Sequence, residues 1–195
     1  MSTPTPDSKL LQGAPILVGV TGGIAAYKTC TLVSRLTQAG AHVTVAMTPE
    51  ATKFVAPLTF QALSGRPVYQ TPWDHIESSD PQHIALARNC RAAIVAPCTM
   101  NCMAKLAAGL CDDVVTLILS AIDRAKTPVL LAPAMNAQMW SQPTTQRNLA
   151  TLTTDGFKLI GPAEGWQACR TSGPGRMTEP EELFEAVMSA IAQRD

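Results

Sequence analysis

The sequence contains no apolar run approaching the ~20 residues that a membrane span requires. It contains no basic run either, and its fifteen Lys and Arg balance fifteen Asp and Glu, so neither nucleic acid nor an anionic membrane is expected as a partner. No CxxC pair occurs among the six cysteines, which are Cys30, Cys90, Cys98, Cys102, Cys111 and Cys169. Cys98 and Cys102 have no second ligand pair at zinc spacing, so no metal is expected. Thiols scattered among apolar neighbours in a chain this long do not make a small disulfide framework; most are expected to be core residues in a reducing cytoplasm. The phosphate-cradling pattern GxxxxGK[ST] is absent, and so is the GxGxxG dinucleotide fingerprint. Internal repeats, low-complexity tracts and linkers are absent too. The length then suggests one domain, residues 14–195. Residues 1–13, polar with two prolines and without the order of a signal peptide, are expected to form a disordered tail.

What is present is an alternation of short apolar runs with helical periods, which argues for an α/β fold with a parallel sheet covered on both faces. Strands are expected over 15–20, 41–47, 92–96, 128–132 and 157–160, with at most a brief one in the turn 65–72. Helices are expected over 24–38, from Thr48 onward, and over 57–63, 83–89, 103–110, 114–122 and 142–154. A closing helix to Ala192 would start at Thr178-Glu179-Pro180-Glu181, which fits a capping box. Residues 165–177 show neither period.

In such a sheet, ligands bind at the carboxyl ends of the strands. The residues to watch are therefore Thr21-Gly22-Gly23, Thr48, Pro97-Cys98-Thr99-Met100-Asn101 and Pro133-Ala134-Met135-Asn136. Gly22-Gly23 before a helix offers backbone N–H groups and a positive helix end to a phosphate. Where an NAD site would place an acid for the ribose, the second strand ends in Thr48, so FMN fits better than NAD. The plain structural role of Thr99 and Asn136 is as helix N-caps. Of the three histidines, His42 reads as structural and His75 as solvated, whereas His83 opens a helix and serves either as a cap or as a base. In the glycine-rich stretch 165–177 the Cys169 thiol would feel the positive charge of Arg170 and Arg176, an arrangement suited to proton donation. Its other reading is a surface Ω-loop.

Seven segments, in order, carry a resemblance. They are Val18-Gly19-Val20-Thr21-Gly22-Gly23-Ile24-Ala25-Ala26-Tyr27-Lys28; Met47-Thr48 with Ala51 and Phe54-Val55; Pro57-Leu58-Thr59-Phe60; His83-Ile84-Ala85-Leu86-Ala87; Ala96-Pro97-Cys98-Thr99-Met100-Asn101; Pro133-Ala134-Met135-Asn136; and Gln167-Ala168-Cys169 with Gly173-Pro174-Gly175-Arg176-Met177. On these the chain resembles the homo-oligomeric flavin-containing cysteine decarboxylases, most closely the phosphopantothenoylcysteine decarboxylases of coenzyme A synthesis. The resemblance implies a Rossmann-like (flavodoxin-like) doubly wound, three-layer α/β/α domain. It also implies assembly as a homotrimer or a dodecamer of trimers, with FMN between subunits. The implied reaction is decarboxylation of 4′-phosphopantothenoylcysteine to 4′-phosphopantetheine through transient oxidation to a thioaldehyde.

In that scheme His83 is the base and Cys169 the proton donor on a lid. Asn136, Met135, Ala134 and Arg176 bind substrate, while Gly22, Gly23, Ile24, Thr48, Thr59, Pro97, Thr99, Asn101 and Asp113 hold FMN. The chain makes two departures from the family pattern: Cys98 and Met100 replace alanines, and Arg170 stands where glycine is usual. Two-domain bacterial relatives carry a synthetase domain beyond this region, so ligation activity is expected to be absent from a chain ending at Asp195. Two other readings stay open: decarboxylation of the C-terminal cysteine of a peptide, and a non-catalytic flavoprotein subunit. A flavin prenyltransferase, which would lack the His83 and Cys169 pair, ranks lower.

Overall fold

The computed structural model describes residues 10–73 and 81–193, so the expectations for His75 and for residues 1–9 lie outside it. Six parallel strands form the sheet: β1 (Pro15–Val20), β2 (His42–Met47), β3 (Val68–Tyr69), β4 (Ala92–Cys98), β5 (Val129–Pro133) and β6 (Lys158–Leu159). Their order is β3-β2-β1-β4-β5-β6. The inner strands are apolar without interruption because both faces are covered. Ile16, Val18 and Val20 of β1 point to one core with Val43, Val45, Met47 and Ile94. Leu17 points to the other with Ala93, Val95 and Leu131.

The helices are α1 (Ala26–Gln38), α2 (Pro57–Ser64), α3 (Gln82–Asn89), α4 (Met100–Ala108), α5 (Val114–Ser120), α6 (Ala137–Trp140), α7 (Pro143–Thr154) and α8 (Pro180–Ala192). α1 closes the first face through Leu32, Val33 and Leu36, α2 through Phe60, and α8 through Leu183, Val187 and Ile191, all fully buried. Truncating any of these leucines to alanine would cost about 2–5 kcal/mol, since the lost transfer energy is joined by that of the cavity left behind. Met103, Leu106, Ile118, Leu119 and Leu152 of α4, α5 and α7 close the second face with Ala87 of α3. The strand order reverses between β1 and β4, which opens a crevice at their carboxyl ends. This is the doubly wound, Rossmann-like α/β architecture expected from the sequence.

Five local expectations are corrected. The tail does not extend through residue 13, because Leu11 is fully buried and Gly13 N–H donates to Gly40 O at 2.8 Å. The helix expected from Thr48 is only a 3-10 turn, Ala51–Lys53. α4 begins at Met100, three residues early, because Thr99 caps it and accepts from Cys102 N–H at 3.3 Å. The capping box before α8 does not form: Glu179 is the N-cap, and the Thr178 hydroxyl donates to Ile160 O instead. Finally, the stretch 165–177 contributes to an antiparallel hairpin of β7 (Ala163–Trp166) and β8 (Ser172–Arg176).

Candidate active site

The floor of the site is made where β1 and β4 end. Thr21 is buried and donates to Pro97 O at 2.7 Å, while its oxygen accepts from Thr99 N–H at 3.1 Å. Thr29 of α1 donates to Ala96 O at 2.6 Å. These bonds tie the two strand-end loops together inside the protein, where an unpaired polar group would be costly. Gly22 sits against the loop after β2 so closely that a Cβ there would lie 2.3 Å from that of Glu50, which excludes any side chain. α1 then starts at Ala26, after the N-cap residue Ala25, with no side-chain cap and no acid in its first turn. Two N–H groups at this end are taken, Ala26 by Gly23 O at 2.9 Å and Lys28 by Ala25 O at 3.0 Å, and the positive end of the helix remains a favourable place for an anion.

The opposite wall is the loop after β5 with the hairpin seated on it. Asn136 caps α6: its Oδ1 accepts from Met139 N–H at 2.8 Å, which leaves the Nδ2 end as a donor. β8 is joined to this loop by the bond from Met135 N–H to Gly175 O at 2.9 Å. The approach requires glycine: Gly175 has φ +117°, and a Cβ there would meet Met135 O at 2.2 Å. Between the hairpin strands, Cys169 is exposed, with its sulfur 3.0 Å from Thr171 Oγ1 and 3.6 Å from Gln167 Oε1. Arg170 has φ 66°, in the left-handed region that glycine adopts freely and a residue with a Cβ resists.

A cavity of about 770 Å³ lies between these walls, large enough for a cofactor and a small substrate. Gly22, Gly23, Ile24, Thr48, Thr99, Asn101, Ala134, Met135, Asn136, Cys169 and Arg176 line it, so most residues expected to act together meet there. Pro97 lies just behind the wall; its ring would be 3.7 Å from a Cβ at Gly23. Thr59, His83 and Asp113 are outside the cavity wall of the single chain, among the described residues. Thr59 is exposed on α2, and His83 is half-buried on α3. Asp113 caps α5 through Thr116 N–H at 2.9 Å and pairs with Lys105 at 3.0 Å.

Sequence reasoning assigned no role to Lys28, Gln167 or Glu179. Lys28 lines the cavity one turn into α1 and is paired with Glu179 at 2.8 Å; Arg176 bonds the same carboxylate. The Lys28 hydrogen bond, with help from Arg176, holds the Glu179 carboxyl below its ordinary range. Helical spacing from Gly23-Ile24 could have flagged Lys28; Glu179 lies across the fold and gave no local signal. Of the thiols, Cys90, Cys98 and Cys102 are buried as expected, and Cys111 and Cys169 are exposed. The neighbouring Cys102 thiol, together with burial, pushes the Cys98 thiol well up, so it is inert as a nucleophile.

The family model described as Flavoprotein matches residues 4–192. The coenzyme A biosynthesis bifunctional protein CoaBC of Haemophilus influenzae is 47% identical over 184 residues, covering 94% of this chain and 45% of that protein. The protein of the same name from Bacillus subtilis is 44% identical with the same shares. The chain thus spans less than half the length of these curated relatives. Among solved structures, a PPC decarboxylase cysteine-to-serine mutant complexed with pantothenoylaminoethenethiol gives a TM-score of 0.80 at 32% identity, covering 90% of this chain and 97% of that one. The FMN-dependent cysteine decarboxylase SpaF gives 0.80 at 30%, covering 95% and 98%.

Proposed function

The chain belongs to the Flavoprotein family, and from that premise we propose that it is an FMN-dependent decarboxylase converting 4′-phosphopantothenoylcysteine to 4′-phosphopantetheine in the cytoplasm, a step of coenzyme A biosynthesis. The observation that carries this reading is the convergence of three features on one cavity: an uncapped helix start, the Asn136 amide and the Cys169 thiol. The similarity to PPC decarboxylase and to CoaBC supports it.

The residues present fit FMN. The bare Gly22-Gly23 turn and the positive, acid-free start of α1 suit its phosphate; Thr48, Thr99 and Asn101 supply hydroxyls and an amide around it. When bound, FMN would supply reversible two-electron oxidation of the substrate carbon bearing sulfur, which provides the sink that a cysteine carboxylate otherwise lacks. The protein orients the substrate and handles protons. The Nδ2 of Asn136, freed by the bond that ties up Oδ1, donates to the substrate carboxylate, an acceptor-only group. Met135 and Ala134 form the apolar shelf beside it. The thiol of Cys169 returns a proton to the decarboxylated carbon. His83 takes the substrate thiol proton, and because it lies outside the cavity of one chain it is assigned to a neighbouring copy, as is Thr59. The exposed apolar residues Ile24, Tyr27, Phe54 and Leu58, the first two on the cavity wall, are the expected contact with that copy in a homo-oligomer.

The test is to incubate the purified protein with 4′-phosphopantothenoylcysteine and follow product mass and visible spectrum. A yellow protein that forms 4′-phosphopantetheine is the expected result. A yellow protein that instead decarboxylates a peptide ending in cysteine would move the substrate assignment. A protein that stays colourless and inactive with added FMN would overturn the reading.

A further inference from the structure

Gln167 follows β7 and is buried, although the hairpin around it is largely exposed. Its carboxamide is used at every position. Nε2 donates to Gly173 O at 3.2 Å and Pro174 O at 2.8 Å. Oε1 accepts from Ala137 N–H at 3.1 Å, and the sulfur of Cys169 lies 3.6 Å from the same oxygen. These partners fix the amide's orientation: two carbonyl oxygens admit only the NH₂ end, and the Ala137 N–H admits only the oxygen. The thiol has one proton. If that proton faces Oε1, the Thr171 hydroxyl, 3.0 Å from the sulfur, is the group that donates to it. A buried amide satisfied at all positions specifies one arrangement of what it touches.

Ala137 is the first residue of α6, the helix that Asn136 caps. One oxygen therefore joins the thiol on the hairpin to the helix start carrying the amide on the sheet. We propose that Gln167 is a positioning residue that registers the Cys169 thiol against the Asn136 amide, so that proton donor and carboxylate clamp enter the cavity as a unit. This rests on the decarboxylase reading for its chemistry, and on the four hydrogen bonds alone for its geometry. Losing the register leaves carboxylate loss possible but misplaces the returning proton, so the oxidised enethiol product escapes and its electron pair stays behind on the flavin, to be removed by dissolved oxygen.

Two variants test the bridge from opposite sides. Gln167→Met keeps the length and removes all four side-chain bonds. Ala137→Pro removes only the N–H, at a first helical position where proline is tolerated; the φ −72° and ψ 162° of Asn136 already suit a residue preceding proline. The readouts are the ratio of enethiol to 4′-phosphopantetheine and, without substrate, the rate at which iodoacetamide labels Cys169, followed by peptide mass. The ratio should rise on the order of tenfold in each variant, the scale of a displaced acid–base group. The double variant should be no worse than Gln167→Met alone, because both break the same bridge. Labelling of Cys169 should quicken severalfold in both.

An unchanged product ratio with both products falling together, or fully additive effects, would overturn the proposal. Should the wild type decarboxylate neither substrate, the decarboxylase reading fails separately, and labelling decides the bridge alone: unchanged labelling in both variants sinks it. If Gln167→Met does not fold, Ala137→Pro carries the same comparison.

Discussion

The two walls of the cavity are built on different principles. The floor is continuous with the sheet: its loops leave buried parallel strands and are bonded to one another by Thr21, Thr29 and Thr99. The cover is a two-stranded hairpin whose bonds outside itself include one from Met135, the Gln167 amide and a cluster around Glu179. A hairpin alone is marginal in water, so its position is set by what it is seated on. The difference separates tasks. A cofactor needs a cradle that does not change, whereas a substrate that must enter and be shielded needs a cover held by a few specific bonds.

Substitutions at each wall break this comparison in different currencies. Asn136→Asp, at the junction of the walls, keeps the α6 cap but replaces the donor with an oxygen anion facing the substrate carboxylate. Like-charge repulsion should lower kcat/KM at least ~100-fold while the visible flavin spectrum persists. Thr21→Val strikes the floor. It removes a buried donor and leaves Pro97 O and Thr99 N–H short of a partner, so stability should drop by about 1–3 kcal/mol in denaturant titration, with weaker flavin retention.

Arg170→Gly strikes the cover. Relief of a left-handed non-glycine residue should raise stability by up to about 1 kcal/mol and leave the flavin in place; a loss of stability would show that the arginine side chain matters more than its backbone.

The smallest effect is expected at Glu179, whose carboxyl is held below its ordinary 4.5 by Lys28 first and Arg176 second. A depressed carboxylate contributes stability above its unfolded value and loses it as pH falls through the folded one. Wild type should therefore exceed Glu179→Gln at neutral pH by no more than about 1 kcal/mol, given its partial exposure, and the gap should close under acid. A gap that widened on acidification would contradict the pairing.

The contrast between the walls also explains how much of the molecule was legible in the sequence. The floor was readable because strands buried on both faces must be apolar throughout, and because Gly22-Gly23 and Thr99 signal a turn and a cap locally. The cover was not. Ala163 to Arg176 has glycines and a proline in place of an alternating pattern, so its pairing depends on a surface built elsewhere in the chain. The capping box before α8 misled for a related reason: Thr178 found a partner in Ile160, eighteen residues earlier, and left the cap to Glu179. Gln167 stood in plain view beside Cys169, yet nothing local announces that its oxygen meets Ala137. Cys169 and Asn136 could be named from the resemblance, and their meeting in one cavity is a fact of the fold.

The most direct measurement is a single turnover of 4′-phosphopantothenoylcysteine, labelled in the cysteine carboxyl, with wild type and Cys169→Ser side by side. Wild type should release labelled carbon dioxide and form 4′-phosphopantetheine. Cys169→Ser should still release labelled carbon dioxide but accumulate the enethiol, with saturated product slowed by roughly 10²–10⁴-fold. Retention of the label by wild type, or normal product at the native rate from Cys169→Ser, would contradict the account.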